Sequence, residues 1–149
     1  MTAPRIDQIN VVLADVAVAS AFLSGLGVPM NPILPEWADW AHHHQSVADD
    51  NAIAFDIDLD SSAFAHHWGG LPDGFVGVVL GLRVGERDEV DELFRLALEA
   101  GAEARREPYD AFWGSRFAVV QAPGPMVLGL MSPRDPDHQG PTPEIGDFT

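Results

Sequence analysis

The sequence predicts an α+β fold, two tandem βαβββ modules whose strands join in a mixed sheet. Three observations carry this. Short β-rich runs and one-faced helical runs follow each other as strand, helix, three strands, and the order then repeats. A shift of 71 residues brings Asp15 onto Glu86, Phe22 onto Leu93 and Leu23 onto Phe94, a faint internal match. A Gly/Pro-bearing irregular stretch, 60–76, separates a first module (5–59) from a second (77–132), with a loose tail at 133–149. The chain has 149 residues, 46% of them hydrophobic, which suffices for one domain whose halves share a core.

RIDQINVVL, 5–13, alternates and is β-rich, so it reads as a strand. Asp15 is placed to cap the following helix, where Ala19, Phe22, Leu23 and Leu26 fall on one face at i, i+3, i+4 and i+7. Gly25 and Gly27 end that helix. Pro29, Pro32 and Pro35 limit the next strand to short edge pieces. WADWAHHHQ, 37–45, and NAIAFDIDL, 51–59, read as strands joined by a turn at Asp49-Asp50-Asn51. The 60–76 linker has room for a helical turn through Ala63 to Trp68.

GVVLGLRV, 77–84, opens the second module as a strand. Residues 86–100 give the clearest helix, with Val90, Leu93, Phe94, Ala97 and Leu98 as its buried stripe. Glu86, Asp88, Glu89, Asp91 and Glu92 crowd the positive end of its dipole, and Gly101 stops it. Strands follow around 102–108, 115–122 and 126–131. From Pro133 onward the chain is rich in Pro, Asp and Gly and is expected to be loose or draped over the surface.

Net charge is −15, and all eight basic residues are Arg. Phosphates would be repelled, which argues against nucleic acid and permits a cationic ligand. No apolar run is long enough to span a membrane, and MTAPRIDQIN lacks the apolar core of a signal peptide. Cysteine is absent, which excludes disulfides and thiolate metal sites and fits a cytoplasmic location.

Three groups of side chains are candidates for a site. On a strand, His42 and His44 would share a face with Trp40, while His43 would point the other way with Asp39. Such a pair can hold a metal, titrate near neutral pH, or simply line a wet wall. His66-His67 sits in the linker and reads as surface or lid. Trp37, Trp40, Trp68 and Trp113 are numerous for this length, and Trp113 follows Phe112 in a loop near Tyr109. Flat aromatics at a cleft mouth stack on planar ligands; the ordinary alternative is core or interface packing, which Trp37 favours. Asp56 and Asp58 share a strand face and can be an acid/base pair, cation-attracting carboxylates or solvated groups. No nucleophile with a nearby base, P-loop or GxGxxG is present.

AFWGSRFAVVQAPGPMVLGLMSP, 111–133, reads as strand, Pro/Gly turn and strand, and resembles the end of a vicinal-oxygen-chelate domain, the glyoxalase/bleomycin-resistance/dioxygenase superfamily. PYDAFWGSRFAVV, 108–120, and VLGLMSP, 127–133, are the sharpest pieces, and the resemblance extends over 5–133. It implies a sheet curled around a groove with the helices outside. It also implies four metal-ligand positions. The first-strand position falls on Gln8. The fourth-strand carboxylate falls near Asp56, with Ala54 or Asp58 as alternative registers. The fifth-strand His falls on Val79 and the last-strand Glu on Gly129. Val79 and Gly129 offer no donor, so the expectation is no metal and no cofactor.

The leading functional expectation is a non-catalytic, metal-independent binding protein of the bleomycin-resistance type. It would be a cytoplasmic homodimer sequestering an aromatic natural product or antibiotic, neutral or cationic, with no nucleic-acid or membrane partner. The candidate ligand-binding residues are Gln8, Trp40, His42, His44, Asp56, Phe112, Trp113 and Met131; Met131 would supply an adaptable apolar wall. A second reading is an enzyme of the same fold, using Asp56 with His42 or His44 as acid and base, or a metal at a relocated histidine site. A third is an accessory protein with a protein partner.

Overall fold

The computed structural model describes residues 3–48 and 56–148. One seven-stranded sheet runs through the molecule. In chain order its strands are β1 (Arg5–Leu13), β2 (His44–Ser46), β3 (Asp56–Ser61), β4 (Gly77–Arg83), β5 (Glu103–Asp110), β6 (Arg116–Gln121) and β7 (Val127–Met131). They lie side by side as β2-β3-β1-β4-β7-β6-β5. The halves meet at the antiparallel β1/β4 pair. Each half contains a parallel pair, β1 with β3 and β4 with β7. The sheet is mixed, and the α+β class expected from the sequence holds. No helix among the described residues is long and apolar enough to cross a membrane.

The second half is the complete module. Helix α3 follows β4; its bounds are Arg87–Glu99, and the Glu89 carboxylate accepts from the backbone N–H of Glu86 at 3.2 Å. Val90 is fully buried, with Leu93, Phe94 and Ala97 packed around the same cluster of Ala118, Val120 and Leu130. Burying one such Val contributes about 1.5–3 kcal/mol. Leu98, expected in the stripe, is 38% exposed because it lies at the edge of the contact.

The first half is abbreviated. Its helix α1 (Val16–Gly25) is capped by Asp15, whose side chain accepts from Val18 N. The expected buried face is rotated: Val16 and Ser20 are buried, while Phe22 and Leu26 are 66% and 68% exposed. The strand restricted by three prolines survives as a single antiparallel bridge, Met30 to Val47. The strand expected at 37–45 is replaced by a 3₁₀ helix, Pro35–Trp40, and a turn, and only His44–Ser46 is extended. Pro35 has a preset φ and no N–H to lose, so it opens a helical turn readily. Trp37 N bonds Leu34 O, and His43 N closes on Trp40 O at 2.7 Å.

The expected turn at Asp49-Asp50-Asn51 and the start of the 51–59 strand lie outside the described residues. That strand runs on past its expected end to Ser61, so Asp60 belongs to the sheet rather than to a linker. The remaining linker holds a full helix, α2 (Ser62–Gly69), capped by the Ser61 hydroxyl accepting from Phe64 N. Gly70 closes it in the left-handed region at φ 61°, where a Cβ would also meet Arg105 O. The tail is mostly exposed but not loose at its end: Phe148 is 4% exposed and packs on Trp40, Phe64, His43 and His67.

Candidate binding groove

Side chains alternate along a strand, so one face of β1 presents Gln8 and Asn10, and the adjoining face of β3 presents Asp56, Asp58 and Asp60. Antiparallel β2 sets His44 opposite Asp60 and Ser46 opposite Asp58. These seven residues form the polar floor of a groove of about 330 Å³, the size of a small-ligand site.

The floor is a closed hydrogen-bond network. Gln8 Nε2 donates to Asn10 Oδ1 at 3.1 Å and to Asp58 Oδ2 at 3.0 Å. Ser46 Oγ donates to Asp58 Oδ1 at 2.7 Å. Asn10 Nδ2 donates to Asp60 Oδ2 at 2.7 Å, and His44 Nδ1 meets Asp60 Oδ1 at 2.6 Å. Each buried carboxylate oxygen therefore has a donor, which offsets its desolvation.

Burial pushes the Asp58 carboxyl up, the Asp60 charge adds to this, and His44 and the Ser46 hydroxyl act against it; the result is about 6. Burial would lower His44, but the hydrogen bond and charge of Asp60, with Asp58 behind it, outweigh that and hold the imidazole above its usual value. The Asp58 shift makes stability pH-dependent. A raised carboxyl contributes stability below pH 3.8, and this is lost as pH rises through about 6. Asp58→Asn removes that loss. Urea denaturation at pH 4 and pH 7 is expected to show the variant gaining about 2 kcal/mol on the wild type between the two. Parallel pH profiles would show that Asp58 ionises normally.

The opposite wall is aromatic. Ring centroids step from His44 to Trp37 at 5.8 Å, to Phe112 at 5.9 Å, to Trp113 at 5.2 Å, to Phe117 at 5.2 Å and to Trp68 at 5.8 Å. Phe112 and Trp113 come from the loop between β5 and β6, and Trp37 from the 3₁₀ helix. Met131, Phe64, Gly81, Gly129 and the cations Arg83 and Arg134 are also in the lining.

Of the eight expected ligand-binding residues, Gln8, His44, Asp56, Phe112, Trp113 and Met131 line this groove. Trp40 does not: its ring packs on Phe64 and Phe148 and stays out of the lining. His42 does not either; it is exposed and stacks on His43 at 3.9 Å, away from the groove. The 3₁₀ helix and turn break the i, i+2 alternation that would have grouped them with His44. His43 is a buried structural residue, its Nδ1 2.7 Å from Ser61 Oγ. Trp37, read as packing, lines the groove, as do Trp68 and Asp60. The Asp60 signal was present in the sequence, since Asp56, Asp58 and Asp60 continue one period-two row.

A family model described as the Glyoxalase/Bleomycin resistance protein/Dioxygenase superfamily matches residues 5–139. The chain belongs to this superfamily. A superfamily member from Vibrio splendidus 12B01 shares the fold at TM-score 0.54 and 14% identity, over 88% of this chain and all of that one. The Mn(II)-bound glyoxalase from Novosphingobium aromaticivorans matches at TM-score 0.58 and 15% identity, over 87% of this chain but 40% of its own. A Legionella pneumophila structure named as an NAD-dependent benzaldehyde dehydrogenase matches at TM-score 0.58 and 13% identity, covering 84% and 96% of the two chains. At these identities the likeness is one of fold. No curated protein matches the chain.

Metal-using members of the superfamily need four donors, and strand register places those positions here. Gln8 pairs with Asp56 across β1/β3, and Gly81 with Gly129 across β4/β7, a shift of 73 residues in the sheet. The fifth-strand position is therefore Gly81 rather than Val79, which is a buried core residue. A Cβ on Gly81 would stand 2.9 Å from Gln8 Cβ. A Cβ on Gly129 would stand 3.2 Å from the Phe117 ring, closer than ordinary contact, so a ligand there would need the ring to shift. Two donors and two glycines do not fit a divalent metal at this site.

Proposed function

We propose that this superfamily member binds a planar, partly aromatic small molecule in the groove without a metal, and sequesters it unchanged as bleomycin-resistance-type proteins do. The observation that carries this is the run of aromatic rings, Trp37, Phe112, Trp113, Phe117 and Trp68, that lines one groove together with the hydrogen-bonded polar floor. Flat apolar faces give stacking and area, while fixed polar groups give orientation. Asp56, exposed on the rim, supplies a carboxylate for a cationic substituent. A homodimer belongs to the same proposal: Val18, Phe22 and Leu26 leave an apolar stripe on α1 for a second copy to cover. A cytoplasmic site of action fits the cysteine-free chain.

Binding is expected to quench tryptophan fluorescence at micromolar affinity or tighter, and Trp113→Ala is expected to weaken it several-fold or more. Losing one stacking partner corresponds to about 1 kcal/mol. The deciding assay incubates protein with ligand, denatures the mixture and analyses what is recovered. Intact ligand in stoichiometric amount supports sequestration. Turnover of many equivalents would refute it and favour an acid–base enzyme, the reading suggested by Asp58 at about 6 beside the Asp60-bound His44.

A further inference from the structure

The polar floor is not equally open to a ligand. Asp58 and Asp60 both have their oxygens engaged from within the floor, by Gln8 and Ser46 on one and by Asn10 and His44 on the other. Gln8 spends its Nε2 on Asn10 and Asp58, and Ser46 spends its hydroxyl on Asp58. The carboxylates thus act on their neighbours first and on a ligand second.

His44 is different. Asp60, whose side chain is 2% exposed, holds Nδ1 and fixes the ring. Nε2 has no hydrogen-bond partner among the described residues, and the ring lines the groove between Trp37 at 5.8 Å and Phe64 at 6.0 Å. With Nδ1–H held by the Asp60 carboxylate, Nε2 is an acceptor in the neutral ring and a donor in the imidazolium, the form that the carboxylate favours. The upward shift of His44, against the opposing charge of Arg134, agrees with this.

We infer that His44 Nε2–H is the polar anchor of the groove and that the planar ligand presents to it an oxygen acceptor, a ring carbonyl or phenolate. The inference rests on the planar-ligand reading above and adds the ligand's chemistry. Asp60 is a positioning residue in it, and Trp37, beside His44, is the ring on which the ligand's oxygen-bearing edge stacks. A donor built to meet an acceptor discriminates strongly against an analogue that lacks it, because the buried donor is then left unpaired.

The test uses two probes with one ring system, 2-methyl-1,4-naphthoquinone and 2-methylnaphthalene, in equilibrium dialysis against the full chain at pH 6.5. The hydrocarbon is the more hydrophobic, so burial alone favours it. The quinone is expected to bind at least ten-fold tighter. His44→Phe is expected to reverse that preference, and Asp60→Asn to reduce it while retaining hydrocarbon binding. Circular dichroism checks that each variant folds. If His44→Phe does not fold, His44→Gln, whose amide nitrogen reaches about as far from Cβ as Nε2 and keeps an uncharged donor, is expected to keep part of the preference. Equal or tighter binding of the hydrocarbon by the wild type overturns the inference and leaves the planar-ligand reading standing. Binding of neither probe up to its solubility limit overturns both.

Discussion

Asp60→Ala is expected to cost about 3 kcal/mol or more of folding stability, since it removes two hydrogen bonds to a charged acceptor at about 1.5–3 kcal/mol each. Asp60 is 1% exposed and accepts from Asn10 at 2.7 Å and from His44 at 2.6 Å. The alanine leaves both of those groups without their acceptor inside the protein. Asp60→Asn should lose less, since one amide oxygen still accepts while the amide nitrogen opposes the second donor. Urea unfolding followed by tryptophan fluorescence measures both. A loss under about 1 kcal/mol for the alanine would mean that water replaces the carboxylate and that the floor is wetter than its geometry suggests.

Gly129→Glu, which restores the residue type of metal-using relatives at the last-strand position, is expected to destabilise by at least about 3 kcal/mol. Overpacking against the buried Phe117 ring costs about 1–3 kcal/mol, and drawing a carboxylate from water onto an aromatic wall adds to it. The steric part is explicit, since the new Cβ would stand 3.2 Å from two Phe117 ring carbons. The ring must give by a few tenths of an ångström, and its neighbours Trp68 at 5.8 Å, Tyr109 at 6.1 Å and Trp113 at 5.2 Å would have to accommodate it. Thermal unfolding with and without added Zn²⁺ checks this. A variant as stable as the wild type and further stabilised by the metal would show that the aromatic wall yields easily and that the metal position survives beneath it.

The fold was legible in the sequence where periodicity had one physical source. β1 alternates because one face meets the groove and the other the outer layer, and α3 carries a single apolar stripe against a polar face. Helix α1 misled for the opposite reason: it is apolar nearly all round, so spacing alone does not say which face is buried. Residues 37–43 imitate a strand because small, aromatic and polar residues alternate there, yet Pro35 already marked a helical start. The groove was legible through Gln8, Asp56, Phe112, Trp113 and Met131, each fixed by a strand or by the loop that closes it. His44 was included for a spacing that the structure does not keep; it reaches the groove through pairing with β3 instead. Trp37 and Trp68 were not legible as groove residues, since their placement depends on how a 3₁₀ helix and α2 fold back over the sheet.

The 73-residue offset between halves also bears on how a guest can sit. It relates Gln8 to Gly81, Asn10 to Arg83, Asp56 to Gly129 and Asp58 to Met131. A duplicated fold with matching halves would accept a flat guest in two orientations of equal energy, related by its internal twofold axis. Here one half has kept hydrogen-bonding side chains, and the other holds glycine, methionine and a cation that pairs with Asp7. The degeneracy is broken. A guest turned end for end would exchange the carboxylates, amides and His44 of one half for Gly81, Gly129, Met131 and the guanidinium of Arg83, so its two orientations differ in the charge they meet.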